Sequence, residues 1–503
     1  MSDNQQPVID FLTDPATHGG GTVKRIDTHA ASGFLSGQRA LKIKRAVRFP
    51  FLDFSTLDKR KAACDAEIEV NRLYAPAIYR GVVAITRTAD GKLAIAGKGD
   101  PVEWAVEMAR FDETQTLDHL ADNGHIDAAL ADQLGRAVAT AHAVVPVVKN
   151  AGFADTLAEI IEQNHGELRA VPDLFAAENV DALTAASRSA LARLRPLLTA
   201  RERDGCVRRC HGDLHLGNIV LIDKAPVLFD AIEFNPTLAT IDVFYDLAFL
   251  LMDLIERDLV DAANSVLNRY LAESKRDSDL DALGALPLLM SLRAAIRAKA
   301  TAARPQRDAT MDKSARDYFA LAQRLLAPPQ PRLIAVGGLS GTGKSVLARA
   351  LASAIMPLPG AIHLRSDVMR KAMFGVAETE RLPASAYAPE VTAKVYPALA
   401  AQARRVLAAG HSAIVDAVFA RPAERDAIAQ AASGARFLGL FLTADLDVRV
   451  TRVGARSGDA SDADAAIALA QERYDLGTLD WQEIDASGTP DEALRRGKTG
   501  IGL

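Results

Sequence analysis

The sequence predicts two folds in one chain: a two-lobed α+β domain over residues 1–328 and an α/β domain with a parallel sheet over 332–503. Three observations carry this. Short strand-like runs and one helix crowd residues 22–100, and mostly helical sequence follows. A proline-rich break, Ala327–Pro331, ends that pattern, because proline cannot donate to a helix or sheet ladder. Beyond the break, apolar strands alternate with helices, which points to a parallel sheet wrapped by helices.

In the first domain Ala40–Arg48 and Gly81–Arg87 alternate or cluster apolar residues and read as strands, with a helix over Asp58–Leu73 between them. Residues 126–200, rich in Ala, Leu and Glu, read as mostly helical. Asn218–Asp223 and Pro226–Phe229 form two further strands, and long helices fill Val243–Leu325. In the second domain strands are expected at 332–337, 361–365, 412–416 and 436–442. Helices are expected at 344–356, 390–409, 421–432 and 444–453.

Composition narrows the partners. At 503 residues the chain exceeds one compact core, and its 49% hydrophobic and 24% charged content is ordinary for globular proteins. Lys and Arg number 59 against 64 Asp and Glu, a net charge of −5 that argues against a nucleic-acid partner. The longest apolar runs, such as Leu247–Met252 and Ala285–Leu292, fall far short of the roughly 18–20 residues a membrane span needs. The first residues lack the basic and apolar regions of a signal peptide. Cys64, Cys206 and Cys210 are too few for a disulfide framework. A cytoplasmic protein without a membrane partner is expected; the sequence leaves its oligomeric state open.

Gly338-Leu339-Ser340-Gly341-Thr342-Gly343-Lys344-Ser345 is a complete GxxxxGK[ST] loop between a predicted strand and a predicted helix. Its backbone N–H groups and the helix N-terminus favour phosphates, Lys344 would reach the β- and γ-phosphates, and Ser345 would hold Mg²⁺. Asp367 begins the helix after the second strand, where ligands of open α/β sheets bind. It is the candidate base for an acceptor hydroxyl, with Arg370 holding an anionic group; the alternative is that Asp367 only caps its helix. Asp416 ends a predicted strand and is a candidate for the metal shell. Arg452 and Arg456, with Arg449 one turn earlier, are candidate lid arginines for transition-state charge, or simply a solvated helix face. This half resembles the small P-loop kinases of the gluconate kinase, zeta-toxin and polynucleotide kinase type, over about 331–480.

His211-Gly212-Asp213-Leu-His215-Leu-Gly-Asn218 places an Asp and an Asn five residues apart, the spacing of a protein-kinase catalytic loop. In that chemistry the Asp accepts the substrate hydroxyl proton and the Asn turns back to bind metal. Asp230, after a short hairpin, fits the second metal-binding acid. Lys42 and Lys44 share a strand face, and one of them should contact the α/β-phosphates. Lys42 paired with Glu67 is preferred, with Lys44 and Arg45 as surface charge. Thr28–Gly33 is where a phosphate-covering turn belongs. Trp104–Phe111 would be the hinge lining an adenine pocket, with Met108 in it.

This set resembles the aminoglycoside phosphotransferase-like kinases, although Ala231 and Glu233 depart from the usual segment after the second metal acid. In this order the whole chain resembles bacterial two-domain proteins that fuse such a domain to a P-loop kinase. The resemblance implies a protein-kinase-like fold followed by a P-loop NTPase fold. It also implies two ATP and Mg²⁺ sites and small-molecule hydroxyl acceptors such as sugars or sugar acids. The competing expectations are a nucleotide-gated regulator in which one half binds ATP without turnover, and a kinase acting on a macromolecule.

Overall fold

The computed structural model describes residues 4–49, 52–304, 306–455 and 458–503. The chain forms two compact units, Met1–Ile160 with Leu198–Arg257, and Ile161–Leu197 with Asp258–Leu503. The helices after residue 258 therefore group with the parallel sheet, although the proline break comes later in the chain. No helix among the described residues is long and apolar enough to cross a membrane.

In the first unit six strands form an antiparallel sheet in the order Lys24–Asp27, Ala31–Ser36, Arg39–Lys44, Asp100–Ala109, Tyr79–Arg87 and Leu93–Ile95. Successive side chains of a strand point to opposite faces. Leu41 and Ile43 thus enter a core with Phe34, Ile85 and Ala105, closed by Val8 and Leu12 of the helix Gln6–Thr13. Lys42 and Lys44 fall on the other face, where the helix Leu57–Asn71 packs through Cys64 and Ile68 against Ile78, Tyr79 and Val106.

Three expectations change here. The strand predicted over Ala40–Arg48 stops at Lys44, and Arg48–Phe49 pairs separately with Leu52–Asp53. The turn expected over Thr28–Gly33 narrows to residues 28–30, because Ala31–Ser36 is paired on both sides. The hinge expected over Trp104–Phe111 is mostly strand. Asp100–Ala109 lies between Arg39–Lys44 and Tyr79–Arg87, so only the residues after Ala109 leave the sheet.

Below this sheet, the hairpin Ile219–Ile222 with Ala225–Leu228 and the pair Val207–Arg209 with Thr240–Asp242 flank the buried helix Val243–Glu256. Asp242 caps that helix by accepting from the Phe244 N–H at 2.8 Å. Arg201 donates to the same carboxylate from Nε and Nη2 at 2.8 and 2.9 Å. Pairing makes this buried charge tolerable.

The second unit contains a five-stranded parallel sheet in the order Ile362–Arg365, Ala413–Asp416, Arg332–Gly338, Arg436–Thr443 and Gln482–Asp485. Ile334, Val336, Ile414, Leu440 and Leu442 pack with Leu347 and Leu351 of the helix Lys344–Ala352 and Ile501 of the helix Pro490–Ile501. Strands covered on both faces read as near-continuous apolar runs, which made Arg332–Gly338, Ala413–Asp416 and Arg436–Thr443 legible, and the alternation Ile-His-Leu-Arg marked Ile362–Arg365. Gln482–Asp485 was not legible. It is an edge strand with three of its four residues exposed, so neither period nor apolarity marks it.

His411 joins two of these strands at their entry. Its Nε2 bonds the Gly360 carbonyl at 2.8 Å, and the residue is 1% exposed. Burial pushes its pKa from 6.5 to about 4. The folded imidazole stays neutral while the unfolded one takes a proton below pH 6.5. Stability present above pH 6.5 is therefore lost as pH falls toward 4, by up to about 3 kcal/mol. Urea unfolding from pH 7 to 4 should show this loss in the second unit, and His411→Asn should flatten the slope in that window.

Candidate active sites

In the first site the helix Val243–Glu256 holds the loop that carries Asp213. Asp246 accepts from the His211 and Gly212 N–H groups at 3.0 and 2.9 Å, and Asp253 accepts from Leu216 at 2.9 Å. Gly212 has φ +84°, and a Cβ there would meet the Cβ of Ala239 at 2.9 Å, so only glycine makes the turn without strain. Asn218 donates from Nδ2 to the Asp213 carbonyl at 2.9 Å and to its carboxylate at 3.1 Å. Its amide oxygen is thereby turned the other way. His215 Nδ1 accepts from the Gly217 N–H at 3.1 Å, which orders the loop.

The hairpin delivers Asp230 at φ +60°, an uncommon conformation for a residue with a Cβ. Two neighbours hold it there. The Asp230 N–H donates to Tyr79 Oη at 3.0 Å, and the Ala231 N–H donates to Asn71 Oδ1 at 2.8 Å. Asn71 lies on the helix that bears Glu67, so one element positions both acids.

Lys42 Nζ lies 2.9 Å from Glu67 and 2.6 Å from Asp230. Lys44, expected at the surface, is instead buried, 2.5 Å from Glu67 and paired with Glu233. Two-residue spacing forces this, since both lysines must point toward the same helix. Burial works against the Lys42 ammonium, but Asp230 and Glu67 outweigh it and raise its pKa. Burial likewise opposes the Glu67 carboxylate, yet Lys42 and Lys44 hold its pKa well down. Burial pushes the Glu233 carboxyl up, with Lys44 offsetting part of the rise. Met108 packs in an apolar cluster with Val106, Val220, Val227 and Phe229. Asp213, Asn218 and Asp230 are all oxygen donors, the chemistry a hard ion such as Mg²⁺ requires.

In the second site the loop 338–345 links the central strand to the helix Lys344–Ala352. Gly341 has φ +88°, and a Cβ there would strike the Arg449 carbonyl oxygen at 2.5 Å. Lys344 Nζ folds onto the Leu339 carbonyl at 3.1 Å. Ser345 Oγ donates to Asp416 at 3.2 Å, and this hydroxyl–carboxylate pair fits the Mg²⁺ shell expected of them. Asp416 also meets His363 Nε2 at 2.5 Å, and Arg365 Nε lies 3.7 Å away. Burial opposes the Asp416 carboxylate, but His363 and Arg365 lower its pKa.

Asp367 opens the helix Ser366–Met373 and is half-buried. Burial and the Asp416 charge raise its pKa, with Lys344 and Arg365 pulling the other way. Arg370, one turn on, is buried against the Tyr387 ring at 4.8 Å and donates to the Ala386 carbonyl at 2.7 Å. Its Nε is buried with no hydrogen-bond partner among the described residues.

The lid arginines fare differently. Arg452 donates to the Ala486 and Gly488 carbonyls at 2.8 and 2.7 Å, fastening its helix to the end of the sheet. Arg456 lies outside the described residues. Arg449, one turn before Arg452, is the arginine that meets the phosphate loop, donating from Nε to the Ser340 carbonyl at 2.9 Å. The sequence alone assigns no role in these sites to Asn71, Tyr79, Asp246, His363 or Arg365. Only the last two had a local signal, as polar residues two apart on the strand leading to Asp367.

Residues 46–286 match the model of the phosphotransferase enzyme family, and residues 333–475 match the model of an AAA domain. With the two sites just described, these matches define a class: an ATP-dependent kinase that joins a phosphotransferase domain of protein-kinase-like fold to a P-loop domain. At full length the chain is similar to uncharacterized proteins of Mycobacterium tuberculosis and Mycobacterium bovis, at 29% identity over 483 residues and 93% of each chain. Among solved structures it is similar to a choline/ethanolamine kinase family protein from Mesorhizobium loti, at 16% identity and a TM-score of 0.41. That match covers 65% of this chain and 95% of the other. A gluconokinase from Sinorhizobium meliloti is similar at 22% identity and a TM-score of 0.25, over 34% of this chain and 92% of that one.

Because Asn71 clamps the strained Asp230–Ala231 segment, Asn71→Ala should lower stability by about 1–3 kcal/mol, the cost of leaving a buried donor unpaired. Nucleotide affinity at the first site should fall with it. Isothermal titration with an ATP analogue beside thermal unfolding measures both, and unchanged affinity would remove Asn71 from the site.

Proposed function

We propose that the chain is a bifunctional phosphotransferase with two separate ATP and Mg²⁺ sites. Each transfers the γ-phosphate to a hydroxyl of a small molecule of sugar or sugar-acid type. We place the catalytic domains at 1–328 and 332–503, and the protein in the cytoplasm. The observation that carries this reading is that each site gathers a candidate base, metal-binding oxygens and a phosphate-binding lysine from distant parts of the sequence.

In the first domain Asp213 accepts the proton of the acceptor hydroxyl as its oxygen bonds to the γ-phosphorus and ADP departs. Lys42, steadied by Glu67, moves from Asp230 to the α/β-phosphates, and the cluster around Met108 accepts adenine. In the second domain the loop 338–345 cradles the phosphates and Asp367 is the base. Its raised pKa brings it closer to the working range of a general base. Arg370, with a spare buried N–H on the helix of Asp367, suits an anionic acceptor. Asn218 and Asp230 in the first site, and Ser345 and Asp416 in the second, would hold Mg²⁺, which would supply neutralisation of phosphate charge.

ADP release with Mg-ATP across sugars, sugar acids, polyols and aminoglycosides tests the reading. Asp213→Asn should lower turnover of one acceptor group by about 10²–10⁴-fold, the contribution of a general base. Lys344→Ala should remove turnover of another. An acceptor response abolished by both substitutions would argue against independent sites. Tight ATP binding without acceptor-stimulated ADP release at one site would argue for a nucleotide-gated regulator.

A further inference from the structure

The strand Ile362–Arg365 forms one edge of the parallel sheet, so one side of its backbone has no strand partner among the described residues. Such an edge must find other hydrogen bonds when it is covered. Here the partner is a helix, Val260–Ser274. Asn268 Oδ1 accepts from the His363 N–H at 2.8 Å, and its Nδ2 reaches the Ala361 carbonyl at 3.3 Å. Asn264, one turn earlier, donates to the same carbonyl at 3.1 Å. Residues four apart share a helix face, so the two asparagines together take the place of a neighbouring strand.

What they hold is the metal side of the second site. His363, whose N–H Asn268 receives, touches Asp416 through its ring, and Asp416 accepts from Ser345. The next residue of the helix makes a second connection. Arg269 pairs with Glu378 at 2.9 Å, and Glu378 lies 3.6 Å from Arg365. Arg365 in turn reaches Ser345 Oγ at 3.3 Å and Asp459 at 2.7 Å. Two short chains of contacts thus run from adjacent residues of one helix to the same Ser345–Asp416 pair.

We propose that Asn268 and Arg269 are positioning residues of the P-loop site, setting His363 and Arg365 around Asp416 and Ser345. The helix that carries them lies inside the segment matched by the phosphotransferase family, 46–286. The P-loop site is therefore incomplete in residues 332–503 alone. The inference rests on reading Ser345 and Asp416 as the metal side of a nucleotide site.

The test uses the full chain carrying Asn268→Ala, Asn268→Gln, Arg269→Met or Arg405→Met. Arg405 pairs with Asp281 at 2.6 Å, elsewhere in the same unit, and controls for a general loosening of the helices. Hydrogen–deuterium exchange without nucleotide is read first. Asn268→Ala and Arg269→Met should speed exchange in peptides covering 361–367, 413–417 and 338–346, whereas Arg405→Met should not. The second readout is the Mg²⁺ concentration for half-maximal binding of a fluorescent ATP analogue, in an Asp230→Asn background that weakens the first site. Asn268→Ala should raise it about fivefold, the equivalent of one lost hydrogen bond. Asn268→Gln should recover part of that shift. Faster exchange confined to 260–274, or equal effects from Arg405→Met, would overturn the proposal. Wild-type protein that binds no nucleotide at the P-loop would count against the proposed function, while the exchange data still judge the positioning role.

Discussion

Glu67 pairs with two ammonium groups, the half-buried Lys42 and the buried Lys44, and the first site is arranged around that constraint. Lys42 and Lys44 alternate with Leu41 and Ile43, whose side chains fill the opposite core, so neither lysine can turn away without breaking the sheet. Unpaired, the Lys44 ammonium would cost several kcal/mol to bury. Glu67 meets both lysines, which fixes how the helix Leu57–Asn71 lies on the sheet. Asn71, one turn later on that helix, then clasps Ala231 and sets Asp230 where Lys42 reaches it. Charge burial, helix position and the placing of Asp230 are one linked requirement.

The second site meets a similar requirement by different means. Asp416 is a buried carboxylate at the end of an interior strand, held ionised by His363 and Arg365 from the neighbouring edge strand. That edge is in turn finished by side chains of a helix, because no strand among the described residues lies beyond it. In both sites an acid lies against basic side chains on adjacent elements, and those side chains are steadied by a further layer of contacts. Both sites also need a glycine where the backbone turns against a packed neighbour, Gly212 against Ala239 and Gly341 against Arg449.

Much of this was legible in the chain. The GxxxxGKS loop and the Asp213–Asn218 spacing are local, since each works through residues within one turn, and local chemistry survives in linear sequence. The pairing of Lys42 with Glu67 followed from strand and helix periodicity. Lys44 was misread because its neighbour Arg45 suggested surface charge, whereas alternation alone placed it beside Lys42. Among the three arginines of that segment it is Arg449, and not Arg452, that braces the phosphate loop, because helical spacing names a face without saying which turn meets the loop. The hinge and the phosphate-covering turn were drawn too long, since strand ends are set by pairing partners that propensity does not reveal.

By itself the sequence determined the two fold classes, the phosphate loop, the catalytic-loop spacing and most strands of the parallel sheet. These depend on period, glycine geometry and short-range hydrogen bonding. Only the tertiary structure decided how Asp230 is held in a strained conformation, which arginine braces the phosphate loop, and which helix completes the edge beside Asp416. Those outcomes depend on contacts between residues far apart in sequence, where any of several polar side chains is chemically adequate and packing selects the one within reach.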